Sequence, residues 1–358
     1  MGLFSRSKTV DIFFVGADGS DIDRGIYTFS LDVANGQLKR RAFVKSLANP
    51  ISMSSCGRFV NVTYRNNTGK ESDGGIFQYA KMVDRLGLMA HVAYRGNTYD
   101  DILMESQGRY AYGVDYYHGM IVKMTIVHEK LKTITPMITL HSKSVDPIKQ
   151  RQAHPSSITQ ANDGYVIVTD LGGDEILVYT INDDGDFIKD EQRSFKLEGG
   201  SGPRKLIFNK ANTLAFLLNE ISSTVEIYDY KDGYFTLKQR LETYSKTAYD
   251  GNNIPTDLLL NDQEDLLFVT NKGDNTIVAF SLEGEEASLA DCLLVDDYPS
   301  AMALFEDHYL VVAMRNAGVV ESFEIRHERS GILFETHSRV TLISPVCLCA
   351  GVSHVKVR

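Results

Sequence analysis

Apolar and polar positions alternate along this chain in short runs, and the runs recur. A strand-like segment opened by Gly or a polar turn appears at Gly25-Ile26-Tyr27-Thr28-Phe29, Gly75-Ile76-Phe77-Gln78-Tyr79 and Gly119-Met120-Ile121-Val122. It returns at Asp174-Glu175-Ile176-Leu177-Val178-Tyr179, Ser223-Thr224-Val225-Glu226-Ile227-Tyr228, Asn275-Thr276-Ile277-Val278-Ala279-Phe280 and Gly318-Val319-Val320-Glu321-Ser322-Phe323. Most copies follow a second apolar run, such as Phe59-Val60-Asn61-Val62-Thr63-Tyr64 or Leu266-Leu267-Phe268-Val269-Thr270. Seven units at a spacing of about 49 residues, each holding several strand-length runs, predict blades of a β-propeller rather than an α/β enzyme.

Within a unit the pattern predicts four strands. In the fifth, Lys205-Leu206-Ile207-Phe208 reads as the inner strand and Thr213-Leu214-Ala215-Phe216-Leu217-Leu218 as the second. Thr224 to Tyr230 reads as the third, and Phe235 to Leu241 as an outer edge whose Lys238 and Arg240 discourage strand-to-strand association. Second strands that are apolar almost throughout suit burial on both faces between stacked blades. The first unit starts directly with a second-type strand, Val10 to Gly16, while a surplus strand, Val346-Cys347-Leu348-Cys349-Ala350, follows the seventh. The surplus strand is therefore expected to supply the missing inner strand of the first blade and close the ring. The fold class is all-β, a seven-bladed propeller forming a single domain over residues 1–358, with longer loops at 66–73, 143–152 and 242–253 over one mouth.

Composition narrows the function classes. A hydrophobic content of 43% with 23% charged residues suits a globular core, and no apolar run is long enough to span a bilayer. The first eight residues lack the apolar core of a signal peptide, and Arg6 spoils a myristoylation reading of Gly2. Cys56, Cys292, Cys347 and Cys349 have no zinc-site spacing and read as reduced buried thiols, so a cytoplasmic location is expected. A net charge of −10 argues against nucleic acid or anionic membrane as partners. A small anionic substrate remains compatible if cations gather locally, and the sequence leaves the oligomeric state open.

In a propeller, polar residues just before an inner strand or just after a second strand converge near the axis. Those places hold His154, Arg204, Asp257, Arg65, Asp115 to His118, Asp170, Asn219, Glu220, Asn271, Lys272 and Arg315. Cations in such a group bind phosphate or carboxylate through charge-assisted hydrogen bonds, while Glu220 or His154 offers a base. Other motifs fail. Pro155-Ser156-Ser157 lacks the Gly-x-Ser-x-Gly turn, Gly172-Gly173-Asp174 lacks a following helix and Lys, and Asp183-Asp184-Gly185-Asp186 reads as a hairpin turn rather than a calcium loop. No recurring Trp-Asp signature supports a WD40 scaffold.

The segment Gly202-Pro203-Arg204-Lys205-Leu206-Ile207-Phe208, followed by Leu218-Asn219-Glu220-Ile221-Ser222-Ser223-Thr224-Val225, closely resembles the seven-bladed propeller lactonase family. That family includes a class of bacterial 6-phosphogluconolactonase and the fungal 3-carboxy-cis,cis-muconate lactonising enzyme. Gln152 to Ser157 with Thr169 to Asp174, and Pro255-Thr256-Asp257 with Thr270 to Gly273, extend the likeness over essentially the whole chain. The resemblance implies a site of a His, an Arg, a Glu and a second Arg, with no metal and no cofactor. Arg204 and Glu220 match the Arg and the Glu. Many relatives read His-x-His-Ser where this chain has His154-Pro155-Ser156-Ser157, so the family's active-site His falls on Ser156, and His154 matches the one before it. The second Arg falls on Lys272. The expectation is hydrolysis of a small anionic sugar lactone, 6-phosphogluconolactone first. Arg204 and Lys272 would hold the anionic group or the developing oxyanion, Glu220 would activate water, and His154 would assist proton transfer. Ser156, Asp257, Asn219, Asp170, His118 and Arg315 complete the expected substrate-binding set. A muconate-lactonising type of cycloisomerase and a catalytically silent ligand- or protein-binding propeller are the alternatives.

Overall fold

Because each sheet buries its faces only against its neighbours, the seven units arrange as blades around an axis. The computed structural model describes residues 8–357 apart from 21, 46–48, 68–71, 95–96, 106, 246, 284–285 and 329–330. The reading of residues 1–7, and that of the tip of the loop at 66–73, lie outside the described residues. All seven sheets are antiparallel around a four-strand path, which runs in sequence order in blades 2 to 7 and in blade 1 takes its inner strand from residues 345–350, and the described residues contain no helix. Blade 5 runs Pro203–Phe208, Leu214–Asn219, Thr224–Lys231 and Tyr234–Glu242 from inner to outer strand. Blade 4 departs slightly, its outer edge being split into Phe187–Lys189 and Phe195–Lys196 along one partner strand.

Second strands are buried end to end, as in Val166–Asp170 and Tyr309–Met314. Each apolar cluster therefore lies between two blades. Phe216 and Leu218 of blade 5 pack with Leu267, Val269 and Phe280 of blade 6. Phe13 lies 5.3 Å from Phe29 within blade 1 and, across the join with blade 7, 5.4 Å from Phe305, centroid to centroid. Each fully buried ring contributes about 1.5–3 kcal/mol.

The ring closes as the strand count requires. Pro345–Ala350 is the inner strand of blade 1, pairing Phe13 with Ala350, Phe14 with Cys349, Val15 with Leu348 and Gly16 with Cys347. Gly16 permits the closest part of this contact, since a Cβ there would stand 2.5 Å from the Cys347 Sγ. A further strand not read from the sequence, Val355–Val357, pairs with Lys8, Thr9 and Val10 and extends the seal along the same first strand. Between them, the His354 N–H donates to Asp11 Oδ1 at 2.7 Å.

Truncation after Ser344 removes both pairings and uncovers Phe13, Val15 and the blade 7 face packed on them. Such a protein is expected to lose its cooperative thermal transition, whereas removal of residues 353–358 alone should lower the melting temperature by only a few degrees. An unchanged melting curve for the longer deletion would rule out closure by this strand.

Candidate functional site

A repeated irregularity at the start of each inner strand builds the centre of the ring. In five blades Pro is the first or second residue of the strand and the register skips one residue, between Pro50 and Ser52, Pro155 and Ser157, Pro203 and Lys205, Pro255 and Asp257, and Pro299 and Ala301. The closing strand skips one between Pro345 and Cys347. Pro lacks the N–H a regular ladder would need, and a bulge turns the following side chain out of the sheet. The residues so turned are Ile51, Ser156, Arg204, Thr256, Ser300 and Val346. In blade 3, which lacks the Pro, Asp100 holds the same place before Asp101. All seven line one central cavity of about 620 Å³.

The Gly-Pro-Arg segment owes its form to this bulge. Gly202 sits at φ +66°, and a Cβ there would meet the Ile221 side chain at 2.5 Å. Residues at the mouth ends of the second strands form a collar around the bulge ring, and Asp18, Tyr116, Glu220 and Arg315, each one step past its strand, line the cavity together with Arg65, which is still within its own.

Charge in the cavity is mostly paired. Glu220 accepts from Lys149 Nζ at 2.8 Å and from an Arg204 terminal nitrogen, while Arg204 Nε donates to the Thr256 carbonyl at 3.2 Å. Burial by itself would raise the Glu220 pKa, but Arg204 and Lys149 more than offset it and hold the carboxyl below its ordinary range. Arg315 pairs with Asp18 at 3.1 Å, and deeper in the channel Lys205 pairs with Asp257 at 2.6 Å. Arg65 differs. Its guanidinium lies 4.0 Å over the Tyr117 ring, and its buried Nε has no hydrogen-bond partner among the described residues. One carboxylate is shared between Arg204 and Lys149, and Arg65 makes no ion pair among the described residues, which leaves cationic hydrogen-bonding capacity at the mouth of the cavity.

Arg204, Glu220, Ser156, Asp257 and Arg315 all reach the cavity wall. Ser156 is committed there, since its hydroxyl donates to the Pro203 carbonyl of the next blade at 2.8 Å. Thr256 and Ser300 do the same to Pro299 at 2.5 Å and Pro345 at 3.0 Å, so this hydroxyl is a latch between blades. Asp257 spends its two oxygens on the Leu258 N–H at 2.9 Å and the Met302 N–H at 3.0 Å, again bridging to the next inner strand.

His154, Lys272, Asn219, Asp170 and His118 are not on the cavity wall. His154 stacks on Tyr116 at 4.3 Å, and its Nδ1–H donates to the Tyr116 carbonyl at 2.7 Å, which fixes the tautomer. Lys272 sits behind Tyr298, its ammonium 4.2 Å from the ring centre, and Tyr298 in a left-handed conformation at φ +62° takes the place at the wall. The anion-holding position expected of Lys272 is therefore screened by an aromatic ring. Asp170 accepts from the His154 N–H at 2.6 Å, the Gly172 N–H at 3.1 Å and the Ser142 hydroxyl, and Asn219 is buried against Thr224 at 3.2 Å. His118 pairs with Asp115 at 2.8 Å and borders a separate cavity of about 370 Å³. Sequence reasoning missed Lys149, Tyr298 and Asp100. Of these, only Asp100 has a place in the repeat equivalent to Arg204 and Ser156, and the missing Pro of its blade obscures that alignment.

The Glu220 cluster makes a stability prediction with a definite sign. A carboxyl held below its ordinary 4.5 adds stability above that pH, and loses it as pH falls through the lowered value. Glu220→Gln is expected to cost about 1–2 kcal/mol at neutral pH, a modest figure because Lys149 and Arg204 are 31% and 39% exposed. The deficit should shrink in acid. Denaturant melts giving the same deficit at about pH 3.5 and at neutrality would contradict the charge assignment.

Comparison with known proteins agrees with this architecture. Residues 12–350 match the family model of the seven-bladed β-propeller lactonases. An uncharacterised protein of Staphylococcus saprophyticus is 26% identical over 205 residues, covering 56% of this chain and 58% of the relative. One from Staphylococcus aureus is 29% identical over 200 residues, covering 53% and 57%. The chain thus spans somewhat more than half the length of these relatives. Among solved structures, the periplasmic gluconolactonase of Pseudomonas aeruginosa superposes with a TM-score of 0.88 at 22% identity, over 96% of this chain and 99% of that one. A candidate 6-phosphogluconolactonase of Bacteroides fragilis gives 0.84 at 24% identity, over 98% and 99%. At such identities the structural likeness speaks for the fold alone, but the family match spans nearly every blade. The chain belongs to the seven-bladed β-propeller lactonase family.

Proposed function

We propose that the central channel hydrolyses a small anionic sugar lactone, with 6-phosphogluconolactone as the leading substrate. The observation that carries this reading is Arg204. Its guanidinium is fixed by Glu220 and the Thr256 carbonyl, and it opens on a polar cavity. A donor fixed in advance stabilises an oxyanion without reorganising at the moment of reaction. The names of the neighbours, a gluconolactonase and a candidate 6-phosphogluconolactonase, support the substrate class.

In this reading Arg204 binds the lactone carbonyl and takes the negative charge that develops on its oxygen. Arg65, over the Tyr117 ring, takes over the anion-holding part expected of Lys272. Glu220 serves as the fixed counter-charge that aims Arg204. A carboxylate held by two cations is a weak acceptor for the proton of water, so the role of water activator moves off this residue.

Purified protein is expected to hydrolyse freshly generated 6-phosphogluconolactone clearly faster than the spontaneous background. Arg204→Ala should reduce turnover about 100-fold or more while the protein still melts cooperatively, at a somewhat lower temperature because Glu220 loses one of its two cations. Arg65→Ala should raise KM about tenfold for the phosphorylated lactone and much less for gluconolactone itself. Full activity in the Arg204 variant would overturn the assignment, and equal effects on both lactones would remove Arg65 from phosphate recognition.

A further inference from the structure

The geometry points to Asp100 as the group that takes the proton from the attacking water and returns it to the leaving oxygen, an inference that rests on the lactonase reading. In blade 3, Asp100 holds the bulge-ring place that blade 5 gives to Arg204, with Ser156 of blade 4 between them. Its Oδ2 accepts the Tyr116 N–H at 3.2 Å, while its Oδ1 accepts no hydrogen bond from the described residues. The carboxyl thus borders the same cavity as the Arg204 guanidinium with one oxygen uncommitted.

The other candidates for proton transfer are occupied. Glu220 is tied to two cations, Ser156 is latched to Pro203, and His154 is locked behind Tyr116. Asp101, the next residue, spends its oxygens on the Ile102 N–H at 2.8 Å and the Ile158 N–H at 3.0 Å, as Asp257 does in blade 6. His154 still matters, as a positioning residue. Its ring fixes the Tyr116 backbone from the carbonyl side, and the N–H of that same residue aims Asp100.

The charged and titratable surroundings of Asp100 are Arg65 from blade 2, Asp115 and Tyr116 from the second strand of blade 3 and its end, Arg204 from blade 5, and the chain neighbours Tyr99 and Asp101. Burial is the largest influence and raises the carboxyl. The Tyr116 N–H and the two arginines pull it back and Asp115 pushes it further up, leaving it at about 7. A base in that range is matched to neutral water chemistry.

The step balances within these groups. The Asp100 carboxylate takes a proton from water as the water oxygen bonds to the lactone carbonyl carbon, and the carbonyl becomes an oxyanion on Arg204. Collapse re-forms the carbonyl and breaks the bond to the ring oxygen, which takes the proton back from Asp100. The product is the open hydroxy acid, with no other reactant.

The test is the pH profile of kcat/KM, corrected for spontaneous hydrolysis, with Asp100→Asn, Asp100→Glu and His154→Phe. Wild type is expected to rise along an acid limb with an apparent pKa of about 7 and then level. Asp100→Asn should lower kcat about 100-fold with little change in KM and should abolish the limb, while Asp100→Glu retains part of the rate. His154→Phe, which keeps the stacking but not the hydrogen bond, should shift the limb rather than remove it. Melting curves give a readout apart from activity. A carboxyl raised in the fold loses stability as pH climbs from the ordinary aspartate range through its folded value, so Asp100→Asn should melt above wild type at about pH 8 and not at about pH 4. An active wild type with an Asn variant of equal rate and unchanged limb overturns Asp100. A wild type inactive on both lactones overturns the lactonase reading, and the Asp100 role with it.

Discussion

Everything in this molecule depends on the pairing of the last long strand with the first. Blades have no private core; each apolar cluster lies between two of them, and the cluster of Phe13, Phe29 and Phe305 exists only when Pro345–Ala350 lies against Lys8–Ala17. The pairing joins residues from opposite ends of the chain, so its loop-closure entropy is large and is offset only when the whole ring is in place. Gly16 opposite Cys347 shows how tight the join is, and the additional strand Val355–Val357 lengthens it without thickening it.

The site inherits its precision from that ring. Hydroxyls of Ser156, Thr256 and Ser300 tie one inner strand to the carbonyl of the next, and the carboxylates of Asp101 and Asp257 tie backbone N–H groups across the same joints. These residues lie in or beside the cavity yet serve the frame. Against that frame Arg204 is held by its neighbours on two sides, whereas among the described residues Arg65 is held by stacking alone and Asp100 by one N–H. A rigid donor beside a less restrained carboxyl suits the lactone opening proposed above, in which the oxyanion meets a prepared partner while the proton carrier serves two oxygens in turn.

Blade number, strand order and the identity of the closing strand could all be read from periodicity, because two-sided burial writes itself into every second strand. The terminal strand could not, since Val355-Lys356-Val357 is too short to show a period. Arg204 and Glu220 were legible because a Gly-Pro step precedes the one and a long apolar strand the other. Asp100 was hidden by a blade lacking the Pro that marks the bulge elsewhere, with an inner strand of only four residues, Asp101–Met104. Lys272 misled for the opposite reason. Its place in the repeat is equivalent to that of Glu220, but Tyr298 from the next blade folds over it through a backbone conformation that no side-chain pattern announces. Ser156 aligned with a catalytic position, yet its hydroxyl has the same partner type as Thr256 and Ser300, a regularity visible only once the strands are side by side.

The bulge has a consequence for how such a protein can change over time. Its backbone is set by the preceding Pro and by the register of the strand, and Ile51, Ser156, Arg204 and Val346 show that residues as unlike as these all fit the turned position. Apart from the latching hydroxyls of Ser156, Thr256 and Ser300, the ring is in effect a dial of interchangeable settings mounted on one scaffold. Specificity could therefore drift by single substitutions at those settings, one blade at a time, with no intermediate that has to refold.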